Sequence, residues 1–373
     1  KSFLYVVCAG IHPHQCLPVM LDVGTNNKEL LNVPLYLGYP HNRIKGTEYF
    51  TLIEEFVEAI KDKFPKALLQ FEDFLTPNAY KLLDIYREKI LSFNDDIQGT
   101  AAVALAGVYA SNYITKNNFA DLRIMFLGAG SAATGIADLM ISAFKQEDLN
   151  EAEARQRLWF VDIDGLVVRG RTNLMPHNIP YAHEEKNMNF IEAIKTIKPH
   201  ILIGATGTPG TFTEEVVTTM SSINERPVIF ALSNPTSRAE CSAAQTYEWS
   251  NGKAIFASGS PFAEVTFNGQ IFKAGQGNNA YVFPGIGLGA TICQATQITD
   301  SMFLTAAQTL ATLIKPQDLA KGTLYPPLSD IRHISLKIAA AVAEEAYKLG
   351  LAQKAKPADL EEYIATQMYN PTY

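Results

Sequence analysis

The sequence predicts an α/β protein in which a doubly wound parallel sheet packs on a second α/β domain that ends in helices. Three observations support this prediction. Between residues 123 and 258, short hydrophobic runs alternate with longer helical patterns, and the runs end in a glycine or a small polar residue. Two similar segments flank another helical pattern between residues 66 and 96, and the residues after 279 have the apolar spacing of long helices.

Five hydrophobic runs are predicted to be the strands of the parallel sheet. They are RIMFL at 123–127, LWFV at 158–161, HILI at 200–203, VIFAL at 228–232 and AIFA at 254–257. Ligands of a doubly wound sheet lie outside the carboxyl ends of its strands. The residues that directly follow each run are therefore the candidates for ligand binding.

The segments KALLQFED and KILSFNDD each contain a lysine, an apolar-rich run and a closing pair of acids. With the helical pattern between them, they predict one β-α-β unit whose parallel strands bring both acidic pairs to the same end. Glu72, Asp73, Asp95 and Asp96 would repel one another there unless a cation or protons neutralise them, and oxygen ligands suit Mg²⁺ or Mn²⁺. The alternative is a solvated loop surface whose acids cap helices.

The stretch FLGAGSAATGIADLM follows the first predicted strand and opens a helix. It contains a G-x-G-x-x-A fingerprint at Gly128, Gly130 and Ala133. The glycines let the backbone approach a pyrophosphate, and the N-terminus of the helix, where Ser131 lies, stabilises the phosphate charge. Asp162, at the end of the next strand, can accept hydrogen bonds from the adenosine ribose hydroxyls. A Rossmann-like NAD-binding domain is predicted, and a simple strand-to-helix turn is the alternative.

Two proline-containing loops, SNPTSRAE from Ser233 and SGSPF from Ser258, follow predicted strands at the edge where a cofactor and a substrate would lie. Asn234 in the first loop, and Asn278 and Asn279 in GQGNN, have side-chain amides that can both donate and accept hydrogen bonds. A turn stabilised by asparagine and proline explains the same residues equally well. The run FPGIGLGA is more typical of close helix packing than of a second phosphate loop.

We expect two domains and a tail. Residues 1–95 together with residues 279–355 are predicted to form a discontinuous α/β domain that binds metal and substrate. Residues 96–278 are predicted to form the NAD-binding domain. Residues 356–373 are polar, and we expect a C-terminal tail that packs on a partner or frays.

Composition argues against several classes of protein. With 373 residues, 47% of them hydrophobic and 18% charged, the chain has the profile of a globular enzyme. The net charge of −7 without a polybasic run argues against nucleic acid, and the most apolar stretch, AAVALAGVYA, has about half the length of a membrane span. Four widely spaced cysteines favour a reducing compartment. We expect a cytoplasmic, bacterial-like location; an organelle matrix is the alternative, because residue 1 is not methionine.

Eight segments, in this order, resemble the malic enzymes across nearly the whole chain: LDVGTNN, QFEDF, FNDDIQGTAAV, FLGAGSAATGIA, ERPVIFALSNPTSRAE, FASGSPF, GQGNN and YPPL. The resemblance implies that Glu72, Asp73 and Asp96 bind a divalent cation, and that Asp95 lies beside the catalytic base. It also implies that Lys1, which precedes LYVVCAGI, is that base.

The same resemblance implies that Asn234 and one of Asn278 and Asn279 contact malate. In the family's reaction, a neutral lysine takes the proton of the C2 hydroxyl while hydride passes to the nicotinamide. Oxaloacetate bound to the metal then loses CO₂ to give pyruvate. The lysine is neutral only if its pKa falls, and we expect burial and a nearby cation to lower it.

NAD rather than NADP is the expected cofactor, because Asp162 and Asp164 would repel a 2′-phosphate, although Arg169 and Arg171 follow nearby. The family's tyrosine acid and a substrate-binding arginine belong to segments upstream of Lys1. We therefore expect this chain to be the larger C-terminal part, lacking the N-terminal domain. The expected partners are malate and further copies of the chain in a dimer or tetramer. A malolactic enzyme and a truncated, non-catalytic nucleotide-binding fragment are the alternatives.

Overall fold

The protein is described by a computed structural model that covers residues 1–371. Its α-helices in this range are α1 (Ser2–Ala9), α2 (Lys28–Leu31), α3 (Gly46–Lys63), α4 (Thr76–Tyr86), α5 (Thr100–Thr115), α6 (Ser131–Gln146), α7 (Glu151–Arg155), α8 (Phe190–Ile197), α9 (Glu214–Ile223), α10 (Ala243–Trp249), α11 (Phe283–Ile292), α12 (Asp300–Thr312), α13 (Pro316–Leu319), α14 (Ile331–Lys348) and α15 (Leu360–Gln367). None of these described helices is both long and apolar enough to cross a membrane.

The strands form one large sheet and two small ones. They are β1 (Leu69–Phe71), β2 (Ser92–Asn94), β3 (Ile124–Leu127), β4 (Leu158–Asp162), β5 (Gly165–Leu166), β6 (Ile201–Gly204), β7 (Val228–Ala231), β8 (Ile255–Ser258), β9 (Val265–Phe267), β10 (Gln270–Phe272) and β11 (Gly275–Gln276). The large sheet has the order β11-β8-β7-β6-β3-β4-β5, and only β5 runs antiparallel to its neighbour. The predicted fold class is confirmed.

All five hydrophobic runs form adjacent parallel strands of this sheet, as predicted. The two-residue strands β5 and β11 at its edges were not predicted, because two residues are too short to produce a periodic pattern. The hairpin of β9 and β10 was also missed. Helices cover both faces of the sheet, with α5, α6 and α12 on one side and α8, α9 and α10 on the other.

The strand order reverses between β3 and β6, since the chain proceeds from β3 to β4 on one side and from β6 to β7 on the other. A crevice forms at such a reversal, outside the carboxyl ends of the strands. The loop after β3 and the loop after β6 are its two walls. They approach closely, because a Cβ atom at position 128 would lie 2.5 Å from the carbonyl oxygen of Ala205. Gly128 also has φ +102°, which favours glycine.

The β-α-β unit predicted from the two similar segments is present as β1, α4 and β2. Its strands are parallel, and Phe71 pairs with Asn94. The next residues, Glu72 and Asp95, therefore emerge at the same end of the pair, as predicted. Beyond β2 the chain forms a π-helical turn, Asp95–Gly99, that continues directly into the buried helix α5.

The main hydrophobic core joins helices from both predicted domains, because side chains of α5, α6, α11, α12 and α14 belong to one cluster. The boundaries at residues 95 and 279 stay a prediction.

The expected tail is wrong for residues 360–367, which form α15 and pack on α14. Leu360 and Ile364 lie one helical turn apart, and both are buried in the main core.

The glycine-rich run FPGIGLGA forms the start of α11, as the helix-packing interpretation predicted. Its residues are buried, and α11 packs along α14. A Cβ atom at position 289 would lie 2.5 Å from the carbonyl oxygen of Ala339 in α14. Glycine at this position allows the two backbones to approach closely.

We predict that Gly289→Ala lowers the free energy of unfolding by about 1–3 kcal/mol, the usual cost of overpacking a core. In a helix that packs against nothing, the same change is stabilising by about 1 kcal/mol. A lowered free energy of unfolding therefore indicates that α11 and α14 pack closely. Denaturant or thermal midpoints measure the effect. Gly170→Ala is the matched control, because Gly170 is exposed and no heavy atom lies within 4 Å of the added Cβ. A stabilised Gly289→Ala variant would contradict the close approach of α11 and α14.

Candidate active site

The side chain of Lys1 lies among groups from three distant parts of the chain. Its Nζ atom is 2.6 Å from Asp95 Oδ2, 3.3 Å from Glu72 Oε1 and 3.3 Å from Asn279 Oδ1. The Nζ atom also lies 4.8 Å from the centre of the Phe283 ring. Lys1 immediately precedes α1, and α1 packs on α11 and α14, so the main core positions this lysine.

Asp95 is the buried centre of this group, and its side chain has no exposed surface. Its Oδ2 atom accepts hydrogen bonds from Lys1 Nζ at 2.6 Å and from Asn279 Nδ2 at 2.6 Å. Its Oδ1 atom is buried without a hydrogen-bond partner among the described residues. Burial disfavours the anion and raises the pKa of Asp95 to about 7, although the nearby Lys1 ammonium opposes the change.

The pKa of Lys1 is raised, which is the opposite of what we expect for a catalytic base. Burial lowers this pKa, but the charges of Asp95 and Glu72 and their hydrogen bonds raise it by more. The expected lowering depends on burial together with a nearby cation, and it stays a prediction, because the raised pKa is that of the chain without a cation. The physical reason for the raised pKa is that two carboxylates contact the ammonium and stabilise its charged form.

Glu72 and Asp96 lie close enough to interact, and the charge of Asp96 contributes to the raised pKa of Glu72 after the larger effects of burial and of Lys1. Glu72 Oε2 accepts a hydrogen bond from Gln70 Nε2 at 3.3 Å, and Gln70 in turn accepts one from Tyr5 at 2.6 Å. Asp96 Oδ2 accepts a hydrogen bond from the backbone N–H of Asp73 at 2.7 Å. The two acidic segments are thus directly connected.

The predicted metal ligands are close in space but do not form a ready metal cage. Within residues 1–371, no group of three or more histidine, cysteine, aspartate or glutamate side chains is arranged to hold a metal ion. The donor chemistry nevertheless fits a hard divalent cation, because Glu72, Asp73 and Asp96 offer only oxygen atoms. The partnerless Oδ1 of Asp95 beside them also fits a nearby positive charge.

The structure separates the two asparagines that the sequence left as alternatives. Asn279 lies in the site and contacts both Lys1 and Asp95. Asn278 instead accepts a hydrogen bond from the backbone N–H of Ala280 at 2.8 Å and begins a short 3₁₀ turn. Its side chain therefore has a structural partner.

Asn234 lies in the loop after β7 and is exposed. Its Oδ1 atom accepts a hydrogen bond from Ser260 Oγ at 2.7 Å, so the loops after β7 and β8 are connected. The orientation of the asparagine leaves its Nδ2 group as the part that can donate to a ligand.

The fingerprint residues have the geometry that the sequence predicts. Gly130 directly precedes α6, and no heavy atom lies within 4 Å of a Cβ built at this position, so the backbone faces open space. Ala133 is fully buried in α6. The backbone oxygen of Ser131 accepts a hydrogen bond from Tyr80 Oη at 2.8 Å. Tyr80 belongs to α4, so this bond connects the β-α-β unit to the fingerprint helix.

Asp162 ends β4 and pairs with Arg171, a partner that the sequence analysis noted only as a nearby charge. Arg171 donates to both carboxylate oxygens of Asp162, at 2.8 Å each, and its side chain is only 7% exposed. Asp164 lies 3.5 Å from the same guanidinium. Arg169, by contrast, pairs with Glu184 at 2.9 Å. The charge opposite Asp162 could not be assigned from sequence, because either arginine can reach this strand end.

Sequence analysis also missed Glu240, which is fully buried and accepts hydrogen bonds from the loops after β6 and β7. No periodic signal distinguishes this acid, because it stands alone in an irregular segment.

Two family models match this chain. Residues 97–347 match a model described as malic enzyme, NAD binding domain, and residues 1–87 match a model described as malic enzyme, N-terminal domain. The second match corrects the expectation that the N-terminal domain is absent, since residues 1–87 belong to it.

The chain is similar to malic enzymes named as NADP-dependent and to one named as NAD-dependent. The NADP-dependent malic enzyme of Anas platyrhynchos is 49% identical, over 100% of this chain and 68% of its own length. The mitochondrial NAD-dependent malic enzyme of Ascaris suum is 45% identical, over 100% of this chain and 58% of its own length. The crystal structure of Entamoeba histolytica malic enzyme matches with a TM-score of 0.75 and 26% identity, over 98% of this chain and 68% of that one. The chain spans about two thirds of the length of the first and third of these proteins.

We predict that Asp95→Asn reduces the loss of stability that the metal-free chain undergoes between about pH 4 and pH 7. The folded pKa of Asp95 lies above its ordinary value, so the folded chain holds a proton that the unfolded chain releases, and stability is lost as the pH rises through this window. A rise from 3.8 to about 7 corresponds to about 4 kcal/mol at 1.36 kcal/mol per pH unit.

Thermal midpoints of the wild type and the variant at several pH values, in the presence of a chelator, measure the difference. Asp62→Asn is the control, because Asp62 is exposed on α3 and its ion pair with Lys63 lies at the surface. Equal losses of stability in the wild type and in Asp95→Asn would contradict a protonated, buried Asp95.

Proposed function

This chain belongs to the malic enzyme family, and on that premise we propose that it catalyses the NAD-dependent oxidative decarboxylation of L-malate to pyruvate and CO₂ with a divalent cation. The observation that best supports the proposal is the contact of Lys1 with Asp95, Glu72 and Asn279. It joins a candidate base, a cluster of oxygen ligands and a side-chain amide at one point. These groups suit a substrate that carries a hydroxyl and two carboxylates.

Lys1 is proposed to take the proton from the C2 hydroxyl of malate. Asp95 and Glu72 orient its Nζ atom, but they also favour the ammonium form, whereas a base has to be neutral. We propose that Glu72, Asp73 and Asp96 hold Mg²⁺ or Mn²⁺. A cation there would offset the charge of Glu72, one of the two carboxylates that stabilise the Lys1 ammonium, and its own positive charge would also lower the pKa of Lys1. The bound cation would supply Lewis acidity for the C2 oxygen and for the enolate formed by loss of CO₂.

Asn279 and Asn234 are the proposed contacts for malate. Asn279 already touches the candidate base, so an oxygen of malate bound to its amide would lie next to Lys1 Nζ. Asn234 is held through its Oδ1 by Ser260, which directs its Nδ2 to donate. Asn278 is the weaker candidate, because it caps a turn. Two positioned amides favour malate over monocarboxylates, since each can bind a separate carboxylate.

The dinucleotide is proposed to lie across the crevice between β3 and β6, with its pyrophosphate at Gly128, Gly130, Ser131 and Ala133. Asp162 is the proposed partner of the adenosine ribose hydroxyls. Arg171 donates to both of its oxygens and the backbone N–H of Asp164 donates to Oδ1, so Oδ2 is the oxygen that can still accept from a hydroxyl.

We propose NAD rather than NADP on the charges at the end of β4. Two carboxylates, Asp162 and Asp164, share the single guanidinium of Arg171. Arg169 pairs with Glu184 and does not offset them. The local charge is therefore negative, and a 2′-phosphate would be repelled. The names of the relatives include both cofactors, so NADP is the alternative.

Three further features of the chain are proposed. The metal and substrate region comprises residues 1–95 and 279–355, and the NAD region comprises residues 96–278. The chain assembles into a homo-oligomer, a dimer or a tetramer. Its location is cytoplasmic; the alternative is an organelle matrix, which the mitochondrial Ascaris suum relative illustrates.

The proposed function predicts that the full gene product forms NADH and pyruvate from malate, NAD and Mn²⁺, and that a chelator stops both. Lys1→Met should lower kcat about 10² to 10⁴-fold, the range typical of a positioned general base. Its Kd for NADH should stay unchanged, because the fingerprint loop is separate from Lys1. Absorbance of NADH and direct assay of pyruvate measure the outcome.

Lys61→Met is the matched control, because Lys61 lies on α3, where it pairs with Glu58 of the same helix. Release of lactate without free NADH would instead indicate a malolactic reaction. Binding of NADH without any turnover would indicate a nucleotide-binding module. Unchanged activity of Lys1→Met would contradict the role of the lysine.

The charge argument predicts that kcat/KM for NAD exceeds that for NADP by about tenfold or more, since one repulsive charge near a surface contributes on the order of 1–4 kcal/mol. Asp164→Asn should reduce this preference, because it removes one of the two carboxylates near the ribose. Initial rates with both cofactors measure the ratio. A wild type that prefers NADP would contradict the proposal and would point to Arg171 as the phosphate contact.

A further inference from the structure

We propose that Glu240 is a positioning residue whose buried carboxylate holds the loops after β6 and β7 in the conformation that binds the dinucleotide. This inference rests on the proposed dinucleotide site and deepens it. We refer to Glu240, Thr206, Ser233 and Gly207 as the Glu240 network.

The carboxylate of Glu240 accepts hydrogen bonds from both loops. Its Oε1 atom accepts from Thr206 N at 2.9 Å, Thr206 Oγ1 at 3.0 Å and Ser233 Oγ at 2.5 Å. Its Oε2 atom accepts from Ser233 N at 3.3 Å. The backbone N–H of Gly207 donates to Ser233 Oγ at 2.9 Å, which closes the network.

The side chain of Glu240 has no exposed surface. It lies directly over the last residue of β6, because a Cβ atom at position 204 would be only 2.6 Å from the Glu240 Cδ atom. Any residue other than glycine at this position would displace the carboxylate. The buried acid and the end of the strand are therefore closely fitted.

The network borders the crevice at the reversal of strand order. The loop that begins with Ala205 and Thr206 packs against Gly128 of the fingerprint, since a Cβ atom at position 128 would lie 3.3 Å from Thr206 N. The other loop continues from Ser233 into Asn234, a proposed malate contact. Displacement of the carboxylate would move both the wall that faces the cofactor and the loop that faces the substrate.

The chemistry of the network requires a carboxylate. Four donors converge on it, two of them backbone N–H groups that would otherwise be unsatisfied beside a buried strand end. A carboxylate presents only acceptors. A glutamine has the same shape, but one of its terminal atoms is an NH₂ group, which would face a donor and repel it.

The test is Glu240→Gln in the full gene product, with NADH binding followed by fluorescence and with kcat and KM measured for NAD and malate. We expect Kd for NADH and KM for NAD to rise about tenfold, which is the loss typical of one hydrogen bond to a charged group, and KM for malate to rise as well, because the loop that carries Asn234 moves. We expect kcat to change by less than about threefold, because Lys1, Asp95 and Glu72 do not contact the network. A general loss of structure would instead lower kcat, so a raised KM with a nearly unchanged kcat distinguishes a positioning role from unfolding.

A second pair of variants tests the same network if Glu240→Gln does not fold. These variants are Thr206→Val and Thr206→Ser. Valine removes one hydroxyl donor from the carboxylate, and serine keeps it, so valine should weaken NADH binding and serine should restore it. Val217→Ala is the matched control, because Val217 is fully buried in α9 on one face of the same sheet, and its apolar side chain cannot hydrogen-bond to the Glu240 network. It should lower the thermal midpoint and leave Kd unchanged.

The outcomes separate the two proposals. A wild type that does not bind NADH overturns the proposed function, and this inference with it. A wild type that binds NADH, together with network variants that bind it equally well, overturns the role of Glu240 alone. Weakened binding in Glu240→Gln and Thr206→Val, with normal binding in Thr206→Ser and Val217→Ala, supports it.

Discussion

The carboxylate of Asp95 connects segments that lie far apart in the chain. It contacts Lys1 at the beginning of α1 and Asn279 ahead of α11, and it starts the π-helical turn that leads from β2 into the buried helix α5. The position of the candidate base is therefore tied to the packing of the core, because the helices that hold Lys1 and Asp95 belong to it.

The site carries more negative than positive charge, and this imbalance explains both its pKa values and its proposed chemistry. Burial raises the pKa of Asp95, and neighbouring carboxylates raise that of Lys1. In this structure, the ammonium group of Lys1 is the positive charge that Glu72 and Asp95 contact. On the proposed function, metal binding and the activity of the base would be coupled, since the proposed cation and the Lys1 ammonium both interact with Glu72.

Contacts between loops organise the cofactor side of the molecule. Tyr80 connects the β-α-β unit to the fingerprint helix, Arg171 holds the end of β4 and Glu240 holds the ends of β6 and β7. Each contact has one partner at or near the end of a strand or at the start of a helix. A doubly wound sheet brings these positions to one edge, but it does not determine their side-chain geometry. The polar contacts determine which loop conformations persist.

The sequence by itself determined the features that depend on local pattern. Apolar runs ended by glycine or small polar residues marked all five central strands, and the similar segments ending at Asp73 and Asp96 marked a parallel pair. Edge strands of two residues could not be found in this way, because periodicity requires more positions. Tertiary structure alone decided that Asn279 rather than Asn278 reaches the base, that Arg171 rather than Arg169 pairs with Asp162, and that Glu240 is buried. It also placed two carboxylates beside the Lys1 ammonium, and they raise the pKa of this lysine. These properties depend on charges and hydrogen-bond partners that folding brings together from distant segments, and no local pattern records their distances.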